Sequence, residues 1–278
     1  MTHVQVPEDI LQTNDDVLKS IPNEGRRTFA AMTIYLDSSF SKMVETLKAA
    51  DMWENTVLVY ASDNGGDPPA IGCGSNWPLR GRKATLFEGG VRVPAFIHSP
   101  LLPSSSRGTT YDSIVSVTDW LPTLIEGVLG RGDLLQSSEI PGSTRQRSGL
   151  DGVNQWTQLL RGGGSLTSPS APRKEVLLNI DYLWGLDSTW QDYDTAAIIV
   201  GRWKLILKEV NETAWPTPTD PDNDYSREPA IADGSGTDVF NWLFDIANDP
   251  SESLNLYDDY PEKVKFSPFK RLFFLEPY

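Results

Sequence analysis

Between residues 28 and 52 apolar side chains recur at spacings of three and four: Phe29, Met32, Leu36, Phe40, Met43 and Leu47, with Lys42, Glu45 and Lys48 elsewhere on the surface. That period predicts an amphipathic helix. The next apolar block, Thr56 to Ala61, is short and contains β-branched residues, and it runs into Ser62-Asp63-Asn64-Gly65-Gly66. It reads as a buried strand ending in a polar turn. A helix, a buried strand and a polar turn are the layout of an α/β unit. In open α/β sheets ligands collect at the carboxyl ends of strands, where Asp63 and Asn64 stand.

Val91 to His98 is a second expected strand, closed by Pro100 and the polar Ser104-Ser105-Ser106. Thr118 reads as the N-cap of a helix through Trp120, Leu121, Leu124 and Val128 that ends near Gly130. Residues 130–148, rich in Gly, Ser and Arg, read as a surface loop, and the stretch from Gly162-Gly163-Gly164 to Pro172 is the best boundary. It separates an expected first region, 1–165, from a second, 173–278. Past the boundary the pattern turns to strands: Val176 to Ile180, a hairpin of Ala196–Val200 and Trp203–Leu207 around Gly201-Arg202, and Trp242 to Ile246 before the turn Asn248-Asp249-Pro250. Residues 211–238, rich in Pro, Asp and Thr, read as a long excursion. There is no internal repeat.

Composition narrows the function classes. With 39% hydrophobic and 10% aromatic residues, 278 residues bury a sizeable core. A formal net charge of −14 argues against a nucleic acid or an anionic membrane as partner, although a local basic cluster still allows an anionic substrate. One cysteine, Cys73, makes an internal disulfide framework impossible. No run of about 18 apolar residues predicts a transmembrane segment. Met1 to Asp16 has no apolar stretch that would act as a signal sequence. Asn211-Glu212-Thr213 is a glycosylation triplet of a kind that chance often produces. These features assign no compartment.

Two constellations carry possible chemistry. Asp63 and Asn64 offer hard oxygen donors, which suit Ca²⁺ or Mg²⁺ better than zinc. Asp-Asn-Gly-Gly is also a plain turn, and turn chemistry by itself explains all four residues. The second is Leu79-Arg80-Gly81-Arg82-Lys83 with Glu88-Gly89-Gly90-Val91-Arg92, four cations in an acidic chain. Cationic side chains beside glycine amides suit a sulfate or phosphate, and a solvated basic face explains the same residues. Two histidines, His3 and His98, are too few for a His-rich zinc centre and give no context for a Ser-His-Asp triad. Cys73, with no histidine near it in sequence, reads as structural.

In series the blocks become specific. Thr56-Val57-Leu58-Val59-Tyr60-Ala61-Ser62-Asp63-Asn64-Gly65-Gly66, Asn76-Trp77-Pro78-Leu79-Arg80-Gly81-Arg82-Lys83 and Leu86-Phe87-Glu88-Gly89-Gly90-Val91-Arg92-Val93-Pro94 resemble the sulfatase family. The Asn76 to Lys83 wording is most similar to the arylsulfatase B type. Asp119-Trp120-Leu121-Pro122-Thr123 and Leu243-Phe244-Asp245-Ile246 with Asp249-Pro250-Ser251-Glu252 and Asn255-Leu256 are similar to later landmarks of the family. The likeness runs from about residue 3 to 260.

The resemblance implies an α/β fold of the alkaline-phosphatase-like sulfatase kind, incomplete here, with a small C-terminal antiparallel-sheet subdomain. It implies hydrolysis of sulfate esters of small molecules or glycans, at a formylglycine made from a cysteine and a Ca²⁺ ion, in a lysosomal or secreted setting. Carried over by position, Asp63 and Asn64 match metal ligands. Asp63 would also assist the aldehyde hydrate, and Lys83 matches the lysine that contacts the sulfate. The family's cysteine signature, its first aspartate pair and a further lysine and histidine precede this sequence in the pattern, and Cys73-Gly74-Ser75-Asn76-Trp77 does not match that signature. Met1 stands where an active-site histidine is placed, and Val200 where some members carry another. The chain by itself is therefore expected to lack turnover, and its sheet to carry unpaired edges. A non-catalytic binding protein or relic, and a phosphoester or phosphonate hydrolase of the same superfamily, are the alternatives.

Overall fold

The computed structural model describes residues 6–13, 15–66, 74–135, 150–180, 195–210 and 239–265. His3, Cys73, the Asn211 triplet, the 211–238 excursion and most of the 130–148 loop lie outside them.

Two short helices, α1 (Glu8–Thr13) and α2 (Asp15–Lys19), precede the long helix α3 (Glu24–Ala49). Helix α3 starts four residues before the periodic stretch suggested, because Asn23 caps it: its side chain accepts the Arg26 N–H at 2.9 Å. Glu24 in the first turn and Lys48 in the last complement the helix dipole. The apolar stripe is there but not fully covered; Met32 and Leu36 are 37% and 44% exposed, and Ala31 is buried. Phe40 meets Tyr60 edge-on at 5.5 Å between centroids, and Tyr60 stacks on Phe96 at 5.4 Å. These rings dock α3 on a two-stranded ribbon.

That ribbon pairs β1 (Leu58–Ala61) with β2 (Ala95–His98) antiparallel, from Leu58↔His98 to Ala61↔Ala95. The block expected to be a buried strand is half-buried, with Ala61 exposed. The strand expected from Val91 begins only at Ala95. Glu88–Val91 instead form a single helical turn, α4, and the Pro94 carbonyl accepts the Ser62 N–H at 3.1 Å.

The helix assigned to a Thr118 cap starts earlier. Ser116 is the cap, in a capping box with Asp119, and a 3-10 turn (Val117–Asp119) leads into α5 (Trp120–Pro122) and a π-helical stretch (Thr123–Val128). Asp119 has no exposed surface and accepts the N–H groups of Ser116 (2.9 Å) and Val153 (2.7 Å), the Gln155 amide (2.9 Å) and the Arg173 guanidinium. Burial opposes its ionisation, but these donors more than compensate and hold its carboxyl below the usual aspartate value.

After α6 (Trp156–Arg161) the chain forms an antiparallel sheet in the order β3 (Glu175–Ile180), β4 (Ala196–Val200), β5 (Trp203–Val210), β6 (Val239–Asp245). Gly201, at φ 56°, and Arg202 make the tight β4–β5 turn that the sequence pattern anticipates. Side chains alternate between two buried faces. One carries Ala196, Ile198, Leu205, Leu207 and Leu243 against Val264 of a last turn, α7 (Pro261–Val264). The other carries Ala197, Ile199, Ile206, Trp242 and Phe244 against Leu86, Phe87 and Ile114. Through that second face the C-terminal sheet packs directly behind the loop that bears Lys83.

Candidate functional site

The site grows out of the end of β1. Asp63 Oδ1 accepts the Asn64 N–H at 2.9 Å, Ser62 Oγ donates to the Asn64 carbonyl at 2.9 Å, and Asn64 Nδ2 donates to the Gly65 carbonyl at 2.8 Å. The segment is thus a turn, as its residue types allow, with the Asp63 side chain exposed. Beyond it the backbone is fastened at several points. Gly65 N–H donates to the Gly90 carbonyl at 2.9 Å, and Lys83 N–H to the Gly66 carbonyl at 3.1 Å. Asn76 closes the assembly: its Oδ1 accepts Gly66 N–H at 2.6 Å and its Nδ2 donates to the carbonyls of Gly66 (3.0 Å) and Gly81 (3.1 Å). The two constellations separated by some twenty residues of sequence are one structure.

Close approach explains a glycine here. A Cβ on Gly65 would lie 1.7 Å from the Gly89 carbonyl oxygen. Lys83 sits between Gly81, at φ 82°, and Ala84, at φ 68°, in a loop clasped by Thr85, whose hydroxyl donates to the Arg82 carbonyl at 2.8 Å and accepts the Arg82 N–H at 3.1 Å.

The four cations of the basic cluster separate. Arg80 is buried, its guanidinium 4.3 Å from the ring centroids of both Phe87 and Trp242, and it donates to the Glu252 carbonyl at 3.2 Å. Arg92 lies 3.8 Å from Glu88. Lys83 is exposed and makes no ion pair among the described residues. Lys83 is thus solvent-facing, Arg82 is half-buried, and the solvated-face reading fails for Arg80.

For a divalent cation the donor chemistry fits: a carboxylate and an amide oxygen, with the Asn64 amide nitrogen already engaged. Two such donors fall short of the six or more oxygens that Ca²⁺ takes. Among the described residues no group of three or more His, Cys, Asp or Glu side chains is placed to hold a metal. His98, by the register, is at the opposite end of the ribbon from Asp63. It stacks on Trp53 at 5.4 Å beside a cavity of about 310 Å³ and takes no part in this site.

Sequence reasoning missed the charges behind the site. Lys204, with no exposed surface, lies 2.9 Å from Glu88 Oε1, which it meets as a hydrogen bond, and 2.9 Å from Glu252 Oε1, which it meets as an ion pair. Glu252 Oε2 accepts the Glu88 N–H at 2.6 Å. A signal was present: Lys204 shares its strand face with Ile206, which puts a cation in the core. Burial pulls the lysine toward neutrality, but the two carboxylates outweigh it and its pKa is raised. Burial pushes Glu252 up to about 7, against the pull of Lys204 and with the help of the Glu88 charge. A carboxyl whose pKa is higher folded than unfolded gives stability that is present at low pH and lost as pH rises through the folded value. The wild-type protein is therefore expected to lose about 1–3 kcal/mol between pH 5 and 8 relative to Glu252→Gln. Urea denaturation across that range checks this, and parallel profiles for the two proteins would refute it.

Comparison with known proteins follows the same residues. The family model described as Sulfatase matches residues 2–128. Arylsulfatase J of Mus musculus is 35% identical over 261 residues, covering 89% of this chain and 39% of that protein. An N-acetylgalactosamine-6-O-sulfatase of Bacteroides thetaiotaomicron is 23% identical over 262 residues, covering 87% of this chain and 40% of that protein. The chain thus spans about two fifths of the length of these relatives. The crystal structure of Ps i-CgsB superposes with a TM-score of 0.63 at 25% identity, over 98% of this chain and 46% of that one. The same protein has also been solved in complex with k-i-k-neocarrahexaose.

Proposed function

We propose that this chain belongs to the sulfatase family, as its arylsulfatase homologues indicate, and that it carries the sulfate-holding portion of a sulfate ester hydrolase site. The observation that carries the reading is the Lys83 N–H to Gly66 carbonyl bond, which fastens to the Asp63-Asn64 turn an exposed lysine that has no ion pair among the described residues. Lys83 supplies a positive charge to a sulfate oxygen. Asp63 and Asn64 supply oxygen donors to a Ca²⁺ ion, which when bound neutralises charge on the sulfate. Asn76 and the packed glycines hold these groups in register. No residue of this chain is assigned the role of the formylglycine nucleophile. The wording of Asn76 to Lys83 supports the arylsulfatase B type, and the glycan-directed relatives support a sulfated glycan as substrate.

The test uses inorganic sulfate and the purified chain. Sulfate is expected to protect Lys83 from an amine-acylating reagent, read by mass spectrometry. Protection strengthens severalfold with Ca²⁺, and Asp63→Ala abolishes the Ca²⁺ effect. Hydrolysis of 4-nitrophenyl sulfate by the chain alone is expected to stay at background. Absence of protection sinks the reading; Ca²⁺-dependent turnover lost on Asp63→Ala would show that the chain does more than hold sulfate.

A further inference from the structure

Behind Lys83 the described residues bury five charged side chains, Arg80, Glu88, Lys204, Glu209 and Glu252, from three separate parts of the chain, with Glu209 accepting the Leu86 N–H at 3.0 Å. Buried charges are costly, and a buried ion pair is often no more stabilising than an apolar core of the same shape. The contacts of this group have a direction. Lys204 reaches from β5 to Glu88, the first residue of α4. Glu252 holds the same residue by its backbone N–H. The next residue, Gly89, donates to the Arg80 carbonyl at 2.6 Å, and the Gly90 carbonyl receives Gly65 N–H at 2.9 Å. Arg80 in turn is clamped between Phe87 and Trp242 and bonded to the Glu252 carbonyl. Apart from the ring contacts of Arg80, each link is a directed hydrogen bond or ion pair, and the chain of links ends on the two segments that carry Asp63, Asn64 and Lys83.

We propose that Lys204, with Glu88 and Glu252, is a positioning residue: from the C-terminal sheet it fixes α4, and α4 fixes the spacing between the Asp63-Asn64 turn and the Lys83 loop. The inference rests on the proposed sulfate site for its purpose but not for its geometry. Lys204 touches neither site segment, so its effect runs through Glu88. An apolar residue would fill the same space without orienting Glu88. The acidic groups facing Lys204 are Glu88 and Glu252, and the other cations near them are Arg80, at the Glu252 carbonyl, and Arg92, 3.8 Å from Glu88.

Amide hydrogen exchange on the purified chain, with and without inorganic sulfate, separates positioning from bulk stability. In Lys204→Met the amides of Gly65, Lys83 and Gly89 are expected to exchange at least tenfold faster, while those of β4 and β6 hold their rates. Sulfate protection of Lys83 falls by a similar factor, and Lys204→Arg restores most of both. Should Lys204→Met fail to fold, Glu252→Gln, which keeps the Lys204–Glu88 pair, is expected to give the same local pattern at about threefold. Uniform acceleration across the sheet, or unchanged exchange at the three amides, overturns the proposal. Failure of sulfate to protect wild-type Lys83 would refute the functional reading alone, because the exchange pattern still decides the positioning role.

Discussion

Gly65→Ala is expected to destabilise the protein by about 3 kcal/mol and to remove sulfate protection of Lys83. Overpacking usually costs 1–3 kcal/mol, and this position belongs at the top of that range because every atom met is backbone. The new methyl would lie 1.7 Å from the Gly89 oxygen, 2.8 Å from its carbonyl carbon and 3.0 Å from Gly90 Cα. Gly89 has no room to retreat, since a Cβ on it would itself be 2.4 Å from the Gly81 oxygen and 2.5 Å from the Arg80 oxygen. Relief must come from parting the Asp63 turn from α4, which breaks the Gly65–Gly90 bond and moves Lys83 with it. Urea denaturation together with the acylation assay measures both consequences. A loss below about 1 kcal/mol would mean that the two segments are not held as tightly as their hydrogen bonds indicate.

Asp119→Ala is expected to cost about 3–5 kcal/mol, the range for breaking a buried pair and stranding its partner. Arg173 is the stranded group: its side chain is 11% exposed, and its Nε lies 3.1 and 2.9 Å from the two Asp119 oxygens. The backbone N–H groups of Ser116 and Val153 lose their acceptor at the same time. A double-mutant cycle with Arg173→Met identifies the mechanism. If the uncompensated guanidinium dominates, the double variant loses clearly less than the sum of the single losses. Additive losses would assign the cost to the backbone donors instead.

The distinctive blocks of the sequence divide, in the structure, into residues that face solvent and residues that are buried. Asp63, Asn64 and Lys83 were singled out by the resemblance, since their residue types alone also fit a turn and a solvated face, and the structure ties their two segments together through the Lys83–Gly66 bond. Asp119 and Glu252 stand in blocks just as distinctive, yet both are buried acceptors that tie distant segments together. His98 closes an apolar strand, and the antiparallel register puts it at the far end of the ribbon from Asp63.

Local periodicity set the existence of α3, the β4–β5 hairpin and β6, because helix and strand spacing act over a few residues. The element ends moved where a cap decided them: Asn23 draws α3 four residues earlier, and Ser116 takes the place assigned to Thr118. The pairing of β1 with β2 and the two-faced burial of the C-terminal sheet required tertiary contacts, since spacing fixes which face a residue occupies but not what covers it. The basic cluster is the clearest case. Residue type alone put Arg80, Arg82, Lys83 and Arg92 together as equals, and the approach of Trp242 and Glu252 from more than a hundred residues away buries Arg80 while Lys83 stays exposed. Whether a charge is solvated or desolvated depends on neighbours that the chain delivers from afar, and that distinction separates a binding residue from a structural one.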